Sequence, residues 1–160
     1  MNLSRSQMIL MIGGVFLIAF LLTIMPLPEG LSNWRPQWVA LTLIFWILTL
    51  PERVGVGVAW SIGVVLDVLT GTLLGEHALS FSLIAFAVLK LHKRLLLFPP
   101  HQQSFTVLLL LLLDRLLNLW VTGALGYPAP EMAYWIPPVV GALFWPWIYP
   151  LLALIGERFR

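Results

Sequence analysis

Long apolar runs alternate along this chain with short clusters of proline, glycine and charge. Six apolar runs stand out, over residues 8–25, 36–50, 54–74, 78–94, 104–124 and 134–155. A helix needs about 20 mainly apolar residues to cross a bilayer. The pattern therefore predicts an all-α integral membrane protein, a six-helix transmembrane bundle forming one domain over residues 1–160. The first run follows only Arg5 and lacks a small-x-small cleavage pattern, so it reads as a retained helix. The second is short, opened by Pro36 and closed by Pro51. The last contains Pro137, Pro138, Pro146 and Pro150 and is expected to be kinked or broken. Membrane helices tolerate such prolines where neighbours satisfy the freed carbonyls.

Composition agrees: 60% of the 160 residues are hydrophobic and 10% charged, with a mean hydropathy of +0.95. Soluble domains are about 45–50% apolar and about 25% charged. The net charge of +2 is not a nucleic-acid signature, because the basic residues follow membrane topology. With the N-terminus in the cytoplasm, Arg5, Arg53, Lys90, Lys93, Arg94, Arg158 and Arg160 fall inside and only Arg35 outside, with Arg115 within a span. That bias obeys the positive-inside rule and puts both termini in the cytoplasm. Trp34, Trp38, Tyr127, Tyr134 and Trp135 then cluster at the outer interface, while Trp46, Trp60 and Trp147 lie deeper or nearer the inner side. The chain has no cysteine, which excludes disulfides, thiolate chemistry and Cys-based metal sites.

The third run carries the most distinctive pattern. Gly55, Ala59, Gly63, Asp67, Gly71 and Gly75 recur every four residues, a spacing that builds one ridge on a helix. Small residues let helices approach closely in lipid. Asp67 stands near the middle of that run, where a lone carboxylate costs about 2.5–3.5 kcal/mol on insertion scales and needs a partner or a function. Asp114 is the second carboxylate inside a span, with Arg115 next to it and Asn118 one turn on. Neighbours in sequence point about 100° apart on a helix, so Arg115 is not directed at Asp114. The readings open for these carboxylates are hydrogen bonding between helices, a proton or ion site, a catalytic pair, and pairing with another protein's helix. If Asp67 pins helix register, Asp67→Asn is mild and Asp67→Leu lowers protein level.

Lys90, Lys93 and Arg94 share a helical face after the fourth run, with Leu91, Leu95 and Leu96 opposite. They read as an anchor to anionic lipid, worth about 1 kcal/mol per charge, or as a docking surface for a cytoplasmic partner. His77, His92 and His101 lack the i, i+4 spacing of a metal-binding helix. His77 beside Glu76 reads as a polar loop residue or a pH sensor. No phosphate loop, dinucleotide fingerprint or nucleophile elbow is present, so no cofactor and no metal are expected.

Three stretches carry a family resemblance: IMPLPEGLSNWRPQWVALTLIFWILTLPERVGVGVAW, GVVLDVLTGTLLGEHAL and FWPWIYP. In order and spacing they resemble the MreD family of bacterial inner-membrane proteins across nearly the whole chain. The most specific pieces are Gly63-x-x-x-Asp67-x-x-x-Gly71-x-x-x-Gly75 and the opening of the second span, Arg35, Pro36 and Trp38. The family often has Asn or Asp where this chain has Gln37, which keeps an amide. The resemblance implies a non-catalytic scaffold of the cell-wall elongation complex, helping to maintain rod shape. Its implied partners are MreC, the MreB filament, the wall-synthesis transpeptidase and glycosyltransferase, and membrane lipids. The implied fold is similar to the six-helix substrate-binding subunits of vitamin transporters. Two rival functions remain at this level. A small-molecule transporter subunit predicts a polar pocket near the outer side from Arg35, Gln37, Glu76 and His77. An intramembrane aspartyl hydrolase predicts that Asp67 and Asp114 reach one shared water.

Overall fold

The computed structural model describes residues 4–157; Arg158 and Arg160, two of the charges assigned to the cytoplasmic side, lie outside them. The described residues form helices joined by short loops, without strands. The helices are α1 (Arg5–Ile24), α2 (Glu29–Ser32), α3 (Trp38–Thr49), α4 (Val56–Thr70), α5 (Glu76–Leu97), α6 (Pro100–Ala124) and α7 (Ile136–Gly156), the last preceded by a 3-10 turn, Met132–Trp135. Each of the six apolar runs becomes one helix, and α2 is an addition that the pattern did not announce.

Local chemistry explains the helix ends. Ser4 opens α1 with a capping box: its hydroxyl accepts from the Gln7 N–H, and the Gln7 side chain accepts from the Ser4 N–H. This reciprocal pair satisfies two of the donors that every helix start leaves free. Pro99 and Pro100 start α6 rather than only stopping α5, because proline fits the first helical turn where no N–H is needed. Pro146 and Pro150 lie inside α7, and the helix runs continuously through both. Of the kink or break expected there, a break does not occur.

The bundle is built around α3. Every residue from 39 to 48 in this helix is buried, which accounts for a sequence apolar on all sides. Its 12 residues span about 18 Å at 1.5 Å per residue, well short of a bilayer core of about 30 Å. Neighbouring helices shield its ends, the setting in which irregular backbone is tolerated at membrane depth. On the outside, Ile18, Val68, Trp120, Trp147 and Leu151 are all more than half exposed. Such an apolar rind suits lipid rather than water.

Three helical stretches are long and apolar enough to cross a membrane: Arg5–Ile24, Pro100–Ala124 and Met132–Gly156. Trp38–Thr49 and Val56–Thr70 are apolar but shorter. Successive long helices alternate in direction. One end of the bundle gathers the C-termini of α1, α4 and α6 with the N-termini of α3, α5 and α7, as the hydrogen bonds below show. At the other end the Gln103 amide donates to the carbonyls of Leu95 (2.7 Å) and Phe98 (3.3 Å) and accepts from the Trp145 indole N–H (3.2 Å). That clamp ties α5, α6 and α7 together through one buried side chain.

The four-residue ridge is shorter than its sequence suggests. Ala59, Gly63 and Asp67 lie buried on α4, and Gly55 is the residue before its first turn. Gly71 and Gly75 are off the helix. Gly71 (φ +73°) ends α4 in the left-handed region, and Gly75 (φ +102°) precedes α5. Both conformations favour glycine. The chain reverses between them, so Asp67 sits one turn from the end of α4 rather than at the centre of a span. At Gly63 the start of α5 comes so near that an added Cβ would lie 2.5 Å from Ala78 Cα and 2.6 Å from the His77 carbonyl oxygen.

Candidate functional site

Asp67 is 1% exposed and is held by the first turn of the next helix. Its Oδ1 accepts from the His77 N–H (2.9 Å), the Thr72 hydroxyl (2.8 Å) and His77 Nδ1 (2.7 Å); its Oδ2 accepts from the Gly75 N–H (2.9 Å). No side chain of α5's own opening caps that helix. The carboxylate of the preceding helix does so instead, meeting both the free donors and the positive end of the helix dipole. Asp67 and His77 form the one ion pair found among the described residues, with the charge on His77 depending on its protonation. A carboxylate so surrounded has little accepting capacity left for a substrate or an ion.

Asp114 is also buried, and its partners come from two other elements. The Gln37 amide and the Ser80 hydroxyl each donate to one of its oxygens. The residue thus joins α6 to α5 and to the segment that opens α3. Asp67 and Asp114 have no hydrogen-bond partner in common among the described residues. Arg115 does not pair with Asp114. Its guanidinium carbon lies 4.7 Å from the centroid of the Tyr134 ring, a cation–π contact. The Tyr134 hydroxyl donates to the Arg115 carbonyl at 2.7 Å. Asn118 does not join Asp114 either: its Oδ1 is buried and has no hydrogen-bond partner.

At the opening of the second span, Arg35 is more than an outer charge. Its guanidinium donates to the carbonyls of Thr23 and Met25, the last turn of α1 and the residue just beyond it, where a cation complements the dipole. Pro36 is buried, and the Trp38 ring stacks on Phe144 (6.5 Å, 10°). At the opposite end Lys90, Lys93 and Arg94 are exposed on the last turns of α5. Among the leucines expected on the other face, Leu95 is buried while Leu91 and Leu96 are exposed, so that stretch is less amphipathic than its spacing suggests. Among the described residues no group of three or more His, Asp or Glu side chains is placed to hold a metal.

The residues above surround a polar cleft. A cavity of about 240 Å³ is lined by Arg35, Gln37, His77, Asp114, Arg115 and Asn118 among others. A second hollow of about 450 Å³ adds Glu76, Thr122, Tyr127 and Tyr134 and shares His77, Arg115 and Asn118 with the first. The four residues named from the sequence as a transporter-type pocket, Arg35, Gln37, Glu76 and His77, all lie on its walls. Ser80 and Gln103 were not singled out from the sequence, and Tyr134 was read only as an aromatic of the outer interface. Serine and tyrosine in an apolar helix give no local sign of a distant partner, whereas Gln103 beside two prolines was a polar residue in need of one.

Fold and site together define a class: a helical membrane protein with two buried carboxylates, one capping the start of the next helix and one tying three elements together. A family model described as rod shape-determining protein MreD matches residues 4–155. The rod shape-determining protein MreD of Haemophilus influenzae is 30% identical over 145 residues, which cover 91% of this chain and 90% of that protein. No solved structure matches the chain. The chain belongs to the MreD family of rod shape-determining proteins.

Proposed function

We propose that this protein is a non-catalytic scaffold of the cell-wall elongation complex in the bacterial inner membrane. In this reading it couples MreC, the MreB filament and the peptidoglycan transpeptidase and glycosyltransferase, and so helps maintain rod shape. The observation that carries the proposal is the family match over nearly the whole chain. The four structural donors on Asp67 support the non-catalytic part at that residue, since a general acid or base needs a free oxygen facing substrate.

The proposed topology has six spans with both termini cytoplasmic. The alternating helix directions support it, as does the gathering of Arg5, Arg53 and the end of α5 away from the Arg35 end. The basic surface of Lys90, Lys93 and Arg94 would then meet anionic lipid or a cytoplasmic partner. The chain's lack of cysteine makes the topology directly testable. Gln102→Cys should react with a membrane-impermeant maleimide only after the membrane is opened, and Pro128→Cys in intact spheroplasts. The reverse pattern would overturn the orientation.

A partner's single transmembrane helix would seat against the lipid-facing side of the third or fifth span. An open apolar groove between α1 and α4, lined by Gly13, Leu17, Leu21, Ile62, Val65 and Leu69, supports the third. Photo-crosslinkers at Leu17 and Val65 should capture MreC, and one at Leu151 should not. Absence of an MreC adduct at every lipid-facing position of α1, α4 and α6 would count against direct coupling.

A further inference from the structure

The polar cleft holds more unpaired chemistry than a merely structural network needs. On its walls the Nε of Arg35 and the Nε of Arg115 are buried donors without acceptors. Gln37 Oε1 and Asn118 Oδ1 are buried acceptors without donors. Asn118 is 7% exposed and lines both hollows. Glu76 is 7% exposed as well, and its carboxylate has neither a hydrogen bond nor a cation at ion-pair distance among the described residues. His77, beside it in sequence, gives Nδ1 to Asp67. The great majority of buried polar groups are paired, and the Glu76 carboxylate opens onto the outer hollow.

These leftovers are of both signs. The Arg115 guanidinium and the free Nε of Arg35, whose other nitrogens donate to the Thr23 and Met25 carbonyls, call for an anion, while a carboxylate and two amide oxygens call for N–H donors. An anion alone would leave Glu76 and the amide oxygens unmet, and a cation alone would leave the arginines unmet. We propose that the cleft binds a small zwitterion, an ammonium linked by a short chain to a phosphate, with Arg115 and Arg35 toward the phosphate and Glu76, Asn118 and Gln37 toward the ammonium. Phosphate suits two guanidiniums approaching from different helices, because its oxygens are not confined to one plane as those of a carboxylate are. The ligand would bridge the two hollows: Arg35 and Gln37 line the inner one of about 240 Å³, Glu76 lines the outer one of about 450 Å³, and Arg115 and Asn118 line both. The group can arrive as the headgroup of a phospholipid or as a free solute.

The test uses the full-length protein purified in mild detergent from membranes containing phosphatidylethanolamine and phosphatidylglycerol. Native mass spectrometry reads the retained lipid, and thermal shift reads soluble phosphoethanolamine against glycerol phosphate. Wild type should retain phosphatidylethanolamine at least tenfold over phosphatidylglycerol, or be stabilised by phosphoethanolamine and not by glycerol phosphate. The first result assigns a lipid source and the second a free solute. Arg115→Gln should lower retention of both probes. Glu76→Gln should erase the discrimination between amine-bearing and amine-free probes while leaving binding of the phosphate, an effect that general loosening of the fold would not produce. If Arg115→Gln does not fold, the wild-type discrimination and Glu76→Gln decide the matter. Equal retention of the two lipids with no shift from phosphoethanolamine would mean a cleft filled with water alone and would overturn the proposal.

Discussion

Gly63→Ala is the smallest change with the largest expected effect on this fold. A Cβ at Gly63 would lie 2.5 Å from both Cα and N of Ala78 and 2.6 Å from the His77 carbonyl oxygen. All three are backbone atoms, so no rotamer change relieves the clash. Carbon contacts are comfortable near 3.5–4.0 Å, so α5 must retreat by about 1 Å. That retreat stretches the 2.9 Å bonds from the Gly75 and His77 N–H groups to Asp67 past hydrogen-bond range. Overpacking costs about 1–3 kcal/mol, and each hydrogen bond to a charged group is worth about 1.5–3 kcal/mol. Partial relaxation leaves a net loss of about 3 kcal/mol. At about 2–4 °C per kcal/mol for a chain of this size, thermal unfolding in detergent should drop by about 6–12 °C. Gly57→Ala is the control. It is on the same helix, and its Cβ would meet nothing within 4 Å, so it should leave the midpoint unchanged or slightly raised. A Gly63→Ala variant as stable as Gly57→Ala would refute the close approach of α4 and α5.

Asp67→Asn keeps an oxygen that can face Thr72 and both His77 donors but puts an amide N–H against the Gly75 N–H; a loss of about 1–2 kcal/mol in unfolding is expected. Asp67→Leu strands all of those donors and should cost at least about 3 kcal/mol, lowering the steady-state protein level on a membrane immunoblot. Gln103→Leu removes the clamp on the Leu95 and Phe98 carbonyls and on the Trp145 indole; it should lower the unfolding midpoint while Gln102→Leu, on the exposed side, does not. Asp114→Leu strands the Gln37 amide and the Ser80 hydroxyl, and its loss should be at least partly recovered in Ser80→Ala/Asp114→Leu, a coupling that a double-mutant cycle reads directly.

The helices were largely legible because apolar runs and proline punctuation are local signals. Six runs became six helices, and the all-apolar second run became the core because nothing on it required water. The site was harder. A period of four cannot tell a helical ridge from a helix followed by a glycine-punctuated turn, and that ambiguity extended the third span by four residues and put Asp67 at its centre. A left-handed glycine after Thr70 was the available correction, since glycine just past the last periodic residue is a helix stop. Asp114 lay beyond local reasoning. Its partners Gln37 and Ser80 are 77 and 34 residues away, and only tertiary structure brings them together. Arg115 was placed correctly as not facing Asp114, from helical geometry alone; that its cation rests on Tyr134 depends on a turn 19 residues on.

A scaffold role in the rod-shape machinery makes cell shape depend on this protein, and depletion in the host measures that dependence. Cells depleted of the protein should round or swell, and a tagged wild-type copy should restore rods, with Gly57→Ala rescuing and Gly63→Ala or Asp67→Leu failing in proportion to lost protein. Depleted cells that keep growing as rods would contradict the account.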